Sequence, residues 1–323
     1  MNTETLRSKN KATPIILFIL SILSGALCFV FGEALLFLPI AFLAALYTFD
    51  NSIKRRFSII ASAIILILNI AGLLTGLTFS TFGASAITLA FVMHFAFKQK
   101  HQKSDAAFYM TIMAALFGLV SCALLAMRIE GSYTIDAVID FYTKISSVLR
   151  EKFISFSLEA YTAAGIVIDS KLLGEIFDMQ MNMIISYLFI AAFLIVGLSF
   201  KLFSFIVGKA SGCDEIYSWR FFTTNLYAYF YAILTLATMF ISSVDSVFAI
   251  AAFNLYYIFM AIYAYVGFNV VTQLLSKRVH PFISMILFLF ALLIFSSLGI
   301  QLLAVVGVIF TIRKNNEAKL VGL

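Results

Sequence analysis

Between Phe57 and Phe97 the chain runs for 41 residues without an aspartate, glutamate, lysine or arginine. Coiled as an α-helix at 1.5 Å per residue, that run would extend about 60 Å, twice the roughly 30 Å hydrocarbon core of a bilayer. One crossing cannot hold it. Two crossings joined near Ser80-Thr81-Phe82-Gly83 can, because small polar residues and glycine supply the turn.

The rest of the chain follows the same rule. Of 323 residues, 63% are hydrophobic and 12% charged, with a mean hydropathy of +1.04, about half the roughly 25% charge of a soluble domain. Too few charged residues remain to cover a water-facing surface, so the expected fold is an all-α membrane protein, a polytopic helical bundle. Pro14 to Phe49 is interrupted only at Gly32-Glu33 and reads as a hairpin whose second arm carries Pro39. Further spans are read at Ala106 to Met127, Ile184 to about Val207, Phe221 to Ile241 and Phe248 to about Val271. Pro281 to Ile312 is too long for one upright helix and short for two, with Ser296 to Gly299 the available turn. The total is eight to ten membrane segments. A basic N-terminus before an apolar run also resembles a signal peptide, but Leu27 precedes Cys28 where a lipoprotein signal wants a small residue, so a retained first helix is expected.

Charge placement orients these spans. The net charge of +6 raises the question of nucleic acid, and the positions of the basic residues answer it. Of the 22, 17 fall on every second connection: Arg7, Lys9 and Lys11; Lys54 to Arg56; Lys98, Lys100 and Lys103; Lys201, Lys209 and Arg220; Lys277 and Arg278; Arg313, Lys314 and Lys319; the other five, Arg128, Lys144, Arg150, Lys152 and Lys171, sit in one longer segment among acids. The intervening turns at Gly32-Glu33, Ser80 to Gly83, Ser242 to Val247 and Ser296 to Gly299 carry none. By the positive-inside rule both termini are cytoplasmic, the partner of the surface is the lipid bilayer, and no nucleic-acid role is expected. The implied organisation is a cytoplasmic tail at 1–13, five membrane segments over 14–127, an extracytoplasmic segment at 128–183, C-terminal membrane helices over 184–312 and a cytoplasmic tail at 313–323. Within the extracytoplasmic segment Ile135, Val138, Tyr142, Ile145 and Leu149 follow the 3–4 spacing of an amphipathic helix, with a second helix or a bend expected after Glu151-Lys152. These helices read as resting on the outer rim of the bundle; as a lid over an outward-facing cavity they would hinge near Gly131-Ser132 and Asp169 to Gly174.

No catalytic signature is present. The histidines His94, His101 and His280 are scattered, no phosphate-binding glycine loop or nucleophile elbow occurs, and Cys28, Cys122 and Cys213 form no pair or metal set. The expectation is a protein that is not an enzyme, with no cofactor and no metal. Gly72-x-x-x-Gly76 reads as a packing ridge. Polar residues inside apolar sequence are the remaining candidates. Glu33 is the acid flanked on both sides by long apolar runs, and an ionisable group at membrane depth is a functional candidate. Seven of the 14 tyrosines lie between Tyr227 and Tyr265. At 100° per residue Thr224, Tyr227, Tyr231, Thr235 and Thr238 share a stripe about 80° wide, while Asn254, Tyr257, Tyr265, Asn269 and Thr272 share one about 120° wide. A hydroxyl or amide facing hydrocarbon is costly, so both stripes should turn inward, toward each other or a wet cavity. There they either hydrogen-bond helix to helix, the simpler reading, or form a ligand pocket of Asn254, Tyr257, Asn269, Tyr231 and Tyr227.

Trp219-Arg220 opening a span, Asn254 followed by a helix with Gly267 and Leu275-Ser276-Lys277-Arg278, then Leu298-Gly299 and Arg313-Lys314, resemble the YybS-like family of bacterial polytopic membrane proteins. The resemblance extends loosely over the whole length; it departs at Met181-Asn182-Met183, where a proline is expected. It implies a loose kinship with the substrate-binding S components of energy-coupling-factor vitamin transporters, and carries over no ligand residues. The resulting expectation is a multi-pass protein of a bacterial inner membrane that binds or moves a small molecule, with a separate energising or membrane protein as partner. The alternative is a non-transporting scaffold or assembly factor for envelope development.

Overall fold

The computed structural model describes residues 12–49, 55–78, 80–98, 103–211, 224–241, 246–276 and 298–316, and all regular structure among them is helical. In chain order these are α1 (Thr13–Phe31), a short 3-10 turn (Gly32–Leu35), α2 (Phe37–Phe49), α3 (Arg55–Thr75), α4 (Phe82–Lys98), α5 (Lys103–Ile129), α6 (Ile135–Ala163), α7 (Ser170–Asn182), α8 (Ile184–Ser211), α9 (Asn225–Met239) and α10 (Val247–Ser276). A final helix, α11, covers Leu298–Asn316. Among the described residues six helices are long and apolar enough to cross a membrane, and Phe37–Phe49 and Phe82–Lys98 are shorter apolar helices.

Both long apolar runs fold back where the turn residues stand. Gly32 takes φ +71°, a conformation costly for residues with a Cβ, and its N–H closes onto the Cys28 carbonyl to end α1. Gly76 ends α3 at φ +74°; the expected glycine ridge is thus half a helix terminus, and the Arg128 guanidinium lies where a Cβ on Gly76 would be. Pro39 sits in the first turn of α2, where its missing N–H leaves no helical bond unmade, so it starts a helix instead of bending one. The break expected near Glu151 does not occur: α6 runs unbroken for 29 residues from its Thr134 N-cap, and the chain turns only after Ala163, through Gly165 at φ +72°. Of the residues considered as hinges, Gly131 lies in a turn but Gly174 lies within α7, buried against Arg150. Residues 277–297, on which the one-or-two-span question for Pro281 to Ile312 turns, lie outside the described residues, as do most of the basic connections.

Packing divides the chain into two compact units, one of Met1–Asp178 with Ala191–Arg220 and the other of Met179–Ile190 with Phe221–Leu323. In the first, α2 is central: it packs against α1 and α4, and its Ile40, Ala41, Leu43, Ala44, Ala45 and Leu46 are fully buried. Serines inside the apolar helices spend their hydroxyls locally, as Ser21 does on the Leu17 carbonyl at 2.7 Å and Ser24 on the Ser21 carbonyl at 2.9 Å. In the second unit α9 packs against α10, and Ala228, Tyr231, Tyr263, Ala264, Leu303 and Ala304 form a shared core of α9, α10 and α11. Gly267 and Gly307 meet backbone to backbone: a Cβ on either would run into the carbonyl of Leu303 or Tyr263. Removing two side chains lets α10 and α11 approach closely, which matters where lipid supplies no hydrophobic drive for helix association.

Candidate functional site

Glu33 lies on the 3-10 turn between α1 and α2 and is half-buried. Its Oε1 accepts the hydroxyl of Ser80 at 2.8 Å, from the α3–α4 connection, and the hydroxyl of Ser121 at 2.5 Å, from α5. Three segments far apart in the chain therefore converge on one carboxylate oxygen, through hydrogen bonds strengthened by its charge. Ser121 in turn accepts the Thr81 backbone N–H at 3.0 Å, and the Thr81 hydroxyl lies 3.0 Å from Ser121 Oγ and 3.4 Å from Ser85 Oγ. Asn69, on α3, fixes the connection from below. Its Nδ2 donates to the Ser80 carbonyl at 2.7 Å, and its Oδ1 accepts the Gly83 N–H at 3.2 Å.

These contacts place the carboxylate in depth. Ser121 stands eight residues before the C-terminal end of α5, about 12 Å of helix. Asn69 stands six residues before the end of α3, about 9 Å. The α3–α4 connection thus leaves the top of α3 at Gly76 and dips back beside α3 before α4 starts at Phe82. Glu33 lies, as expected, on the turn of the first hairpin, where it is half-buried among hydroxyls supplied by its neighbours, level with a point about 12 Å short of the end of α5. The free cysteines Cys28, buried, and Cys122 lie within electrostatic reach of it. The second oxygen, Oε2, accepts no hydrogen bond from a described residue.

Of the polar stripes of the second unit, Asn254 follows the simpler reading and hydrogen-bonds helix to helix, though to the α7–α8 break and not to the stripe of α9. Asn254 is buried, and all four of its hydrogen-bonding positions are used. Its Nδ2 donates to the carbonyls of Asn182 and Ile250, each at 2.9 Å, and its Oδ1 accepts the Ser186 N–H at 3.0 Å and the Ser186 hydroxyl at 2.5 Å. Asn182 is the last residue of α7 and Ser186 lies in the first turn of α8. A helix end has free carbonyls and a helix start has free N–H groups, so one amide on α10 caps both sides of the break at Met183. The break stands where the family resemblance leads one to expect proline.

Tyr231 is buried, but its partners are Tyr256, stacked at 5.9 Å between ring centroids, and Tyr263, stacked at 5.3 Å. On α10 those two tyrosines sit about 180° around the helix from Asn254. The asparagine face meets the start of α8 while the tyrosine face meets α9. Tyr227 is 47% exposed and lies against Phe259 at 6.2 Å; Tyr257 is half-buried beside Tyr256 at 5.4 Å. Asn269 is half-buried and donates to the Tyr265 carbonyl of its own helix at 2.9 Å. The candidate residues of the second unit are thus distributed over different faces, whereas Glu33 gathers a cluster that sequence reasoning did not assemble. Ser80 and Thr81 read only as turn residues, and Asn69 and Ser121 carry no sequence signal beyond being polar residues within apolar runs.

Helices of this length and hydropathy, with polar groups turned onto one another, define a multi-pass α-helical membrane protein. The chain belongs to the predicted membrane protein family DUF2232, whose profile matches residues 13–309. No curated protein and no solved structure matches it.

Proposed function

We propose that this chain resides in a bacterial inner membrane with both termini in the cytoplasm, and that it binds or moves a small molecule anchored at Glu33. It acts without catalysing a reaction, in the manner of a transporter S component, and a separate membrane protein supplies the energy. The orientation rests on the alternating basic connections, and the kinship on the YybS-like features of the C-terminal half. The observation that carries the binding role is the Glu33 carboxylate: it is set back about 12 Å from the end of α5, and among the described residues it is held by Ser80 and Ser121, both on Oε1. A charge at such depth is expensive to keep and has a use when it meets a ligand. The ligand this favours carries a positive charge or a hydrogen-bond donor, with the Ser121 and Thr81 hydroxyls beside it.

The test compares wild type and Glu33→Gln purified from native membranes, with co-purifying small molecules identified by mass spectrometry. Glutamine keeps the acceptor for Ser80 and Ser121 and removes the charge. A molecule retained by wild type, lost from a Glu33→Gln protein of equal melting temperature, is the expected result. Identical small-molecule profiles would sink the reading, and proteins retained equally by both would favour the scaffold.

A further inference from the structure

The longest helix outside the candidate spans leaves its apolar side uncovered. On α6 Ile135, Ile139, Tyr142, Ile145, Leu149 and Phe156 are all exposed, from 40% at Ile145 to 74% at Ile135. At 100° per residue they lie within about 120° of one another, and Asp136, Asp140, Lys144 and Glu151 occupy the opposite side. The contacts that close α6 on α7 lie on and beside the C-terminal part of this side and leave these six exposed: Arg150 meets Asp178 at 3.0 Å, and Phe153 meets Phe177 at 5.7 Å between ring centroids.

The course of α6 is set by the span before it. Lys144 Nζ lies 2.6 Å from Glu130 Oε2, and Glu130 directly follows α5. Had α6 run outward along the axis of α5, Lys144 would stand about 14 Å beyond the start of α6, past the reach of that pair. The helix therefore turns across the end of α5. Its stripe also continues the exposed apolar run at the end of the span, from Ile129 at 58% through Tyr133 at 76% to Ile135. The chain is tied to the membrane at both ends of the hairpin, by α5 before it and by α8 one residue after it.

We propose that α6 lies in the plane of the membrane surface reached by the C-terminal end of α5, with the stripe from Ile135 to Phe156 immersed at the boundary between headgroups and acyl chains. The occupant is lipid. A helix with an apolar stripe, a charged back and its start joined to a span buries that stripe by lying flat, and the Lys144–Glu130 pair holds it there. Tyr142 suits the position, with an apolar ring and a polar tip.

Tryptophan fluorescence in vesicles tests this. Trp219, the single tryptophan, is replaced by phenylalanine, and Ile139→Trp or Ser155→Trp is introduced on opposite sides of α6, about 160° apart. The full chain is then reconstituted in phosphatidylcholine vesicles whose acyl chains carry bromine. The expected result is at least threefold stronger quenching by brominated lipid at position 139 than at 155, with the reverse order for aqueous iodide. Equal iodide quenching at both positions places the stripe in water and overturns the proposal. Shielding of position 139 from both quenchers overturns it as well, by showing protein, a second copy or another partner, on the stripe. Tyr142→Trp repeats the measurement on the lipid-facing side if Ile139→Trp fails to fold.

Discussion

Asn69 and Asn254 occupy comparable places in the two compact units. Each is a buried amide on a long apolar helix, and each reaches a point where the chain breaks and restarts: Ser80 and Gly83 for Asn69, Asn182 and Ser186 for Asn254. What surrounds them differs. The Asn254 network is closed, with four hydrogen bonds on one side chain and neutral partners throughout. The Asn69 network continues through Ser80 to Glu33, an ionisable group whose Oε2 accepts no hydrogen bond from a described residue. A closed neutral network holds helices together and asks for nothing more; an open charged one invites a ligand. Two similar clasps therefore point to different roles, stability in the second unit and binding in the first.

The largest effects should come from the backbone contact in the second unit, the strictest part of its packing. Gly307→Leu places a side chain against the Tyr263 carbonyl and should cost about 3 kcal/mol of stability, read as a lower melting temperature in detergent. Gly197→Ala, with nothing within 4 Å of the added carbon, should leave the melting temperature unchanged or raise it. Next comes the closed clasp. Asn254→Leu strands the Ser186 N–H and the Asn182 carbonyl and should cost about 2 kcal/mol, with amide exchange rising at the start of α8.

The comparison becomes sharpest at Glu33. Glu33→Gln should cost less than about 1 kcal/mol, since both serine donors keep an acceptor, while abolishing retention of the co-purified molecule. If it destabilises the protein as much as Asn254→Leu does, Glu33 is a structural clasp too and the contrast disappears. The smallest effect belongs to the exposed pair on α6. The hydrogen bond to Glu130 raises the Lys144 pKa above its ordinary 10.5, so the folded state holds that proton more tightly than the unfolded one. The pair's contribution is complete below about pH 10 and is lost as pH climbs through the raised value. Glu130→Gln should accordingly lower the melting temperature slightly at pH 7, and the difference between the two proteins should vanish as pH climbs above the raised Lys144 pKa.

That the long apolar runs fold back was legible in one dimension, because it is a matter of length: a run that exceeds the bilayer must turn, and the first does so at Gly32, while the second leaves its helix at Gly76, ahead of the expected Ser80 to Gly83. The amphipathic character of α6 was legible for the same reason, since spacing alone sets which residues share its sides. Partnership was not. Hydropathy says that a polar stripe must avoid lipid, but a helix packed on several sides has several ways to comply, and α10 satisfies Asn254 against α8 while presenting the opposite tyrosines to α9. Nor does local spacing reveal that Ser80 and Ser121 meet one glutamate, since those contacts span 47 and 88 residues of chain. Only the tertiary structure decides that, because the dip of the α3–α4 connection and the short reach of the first hairpin bring the three segments to one depth.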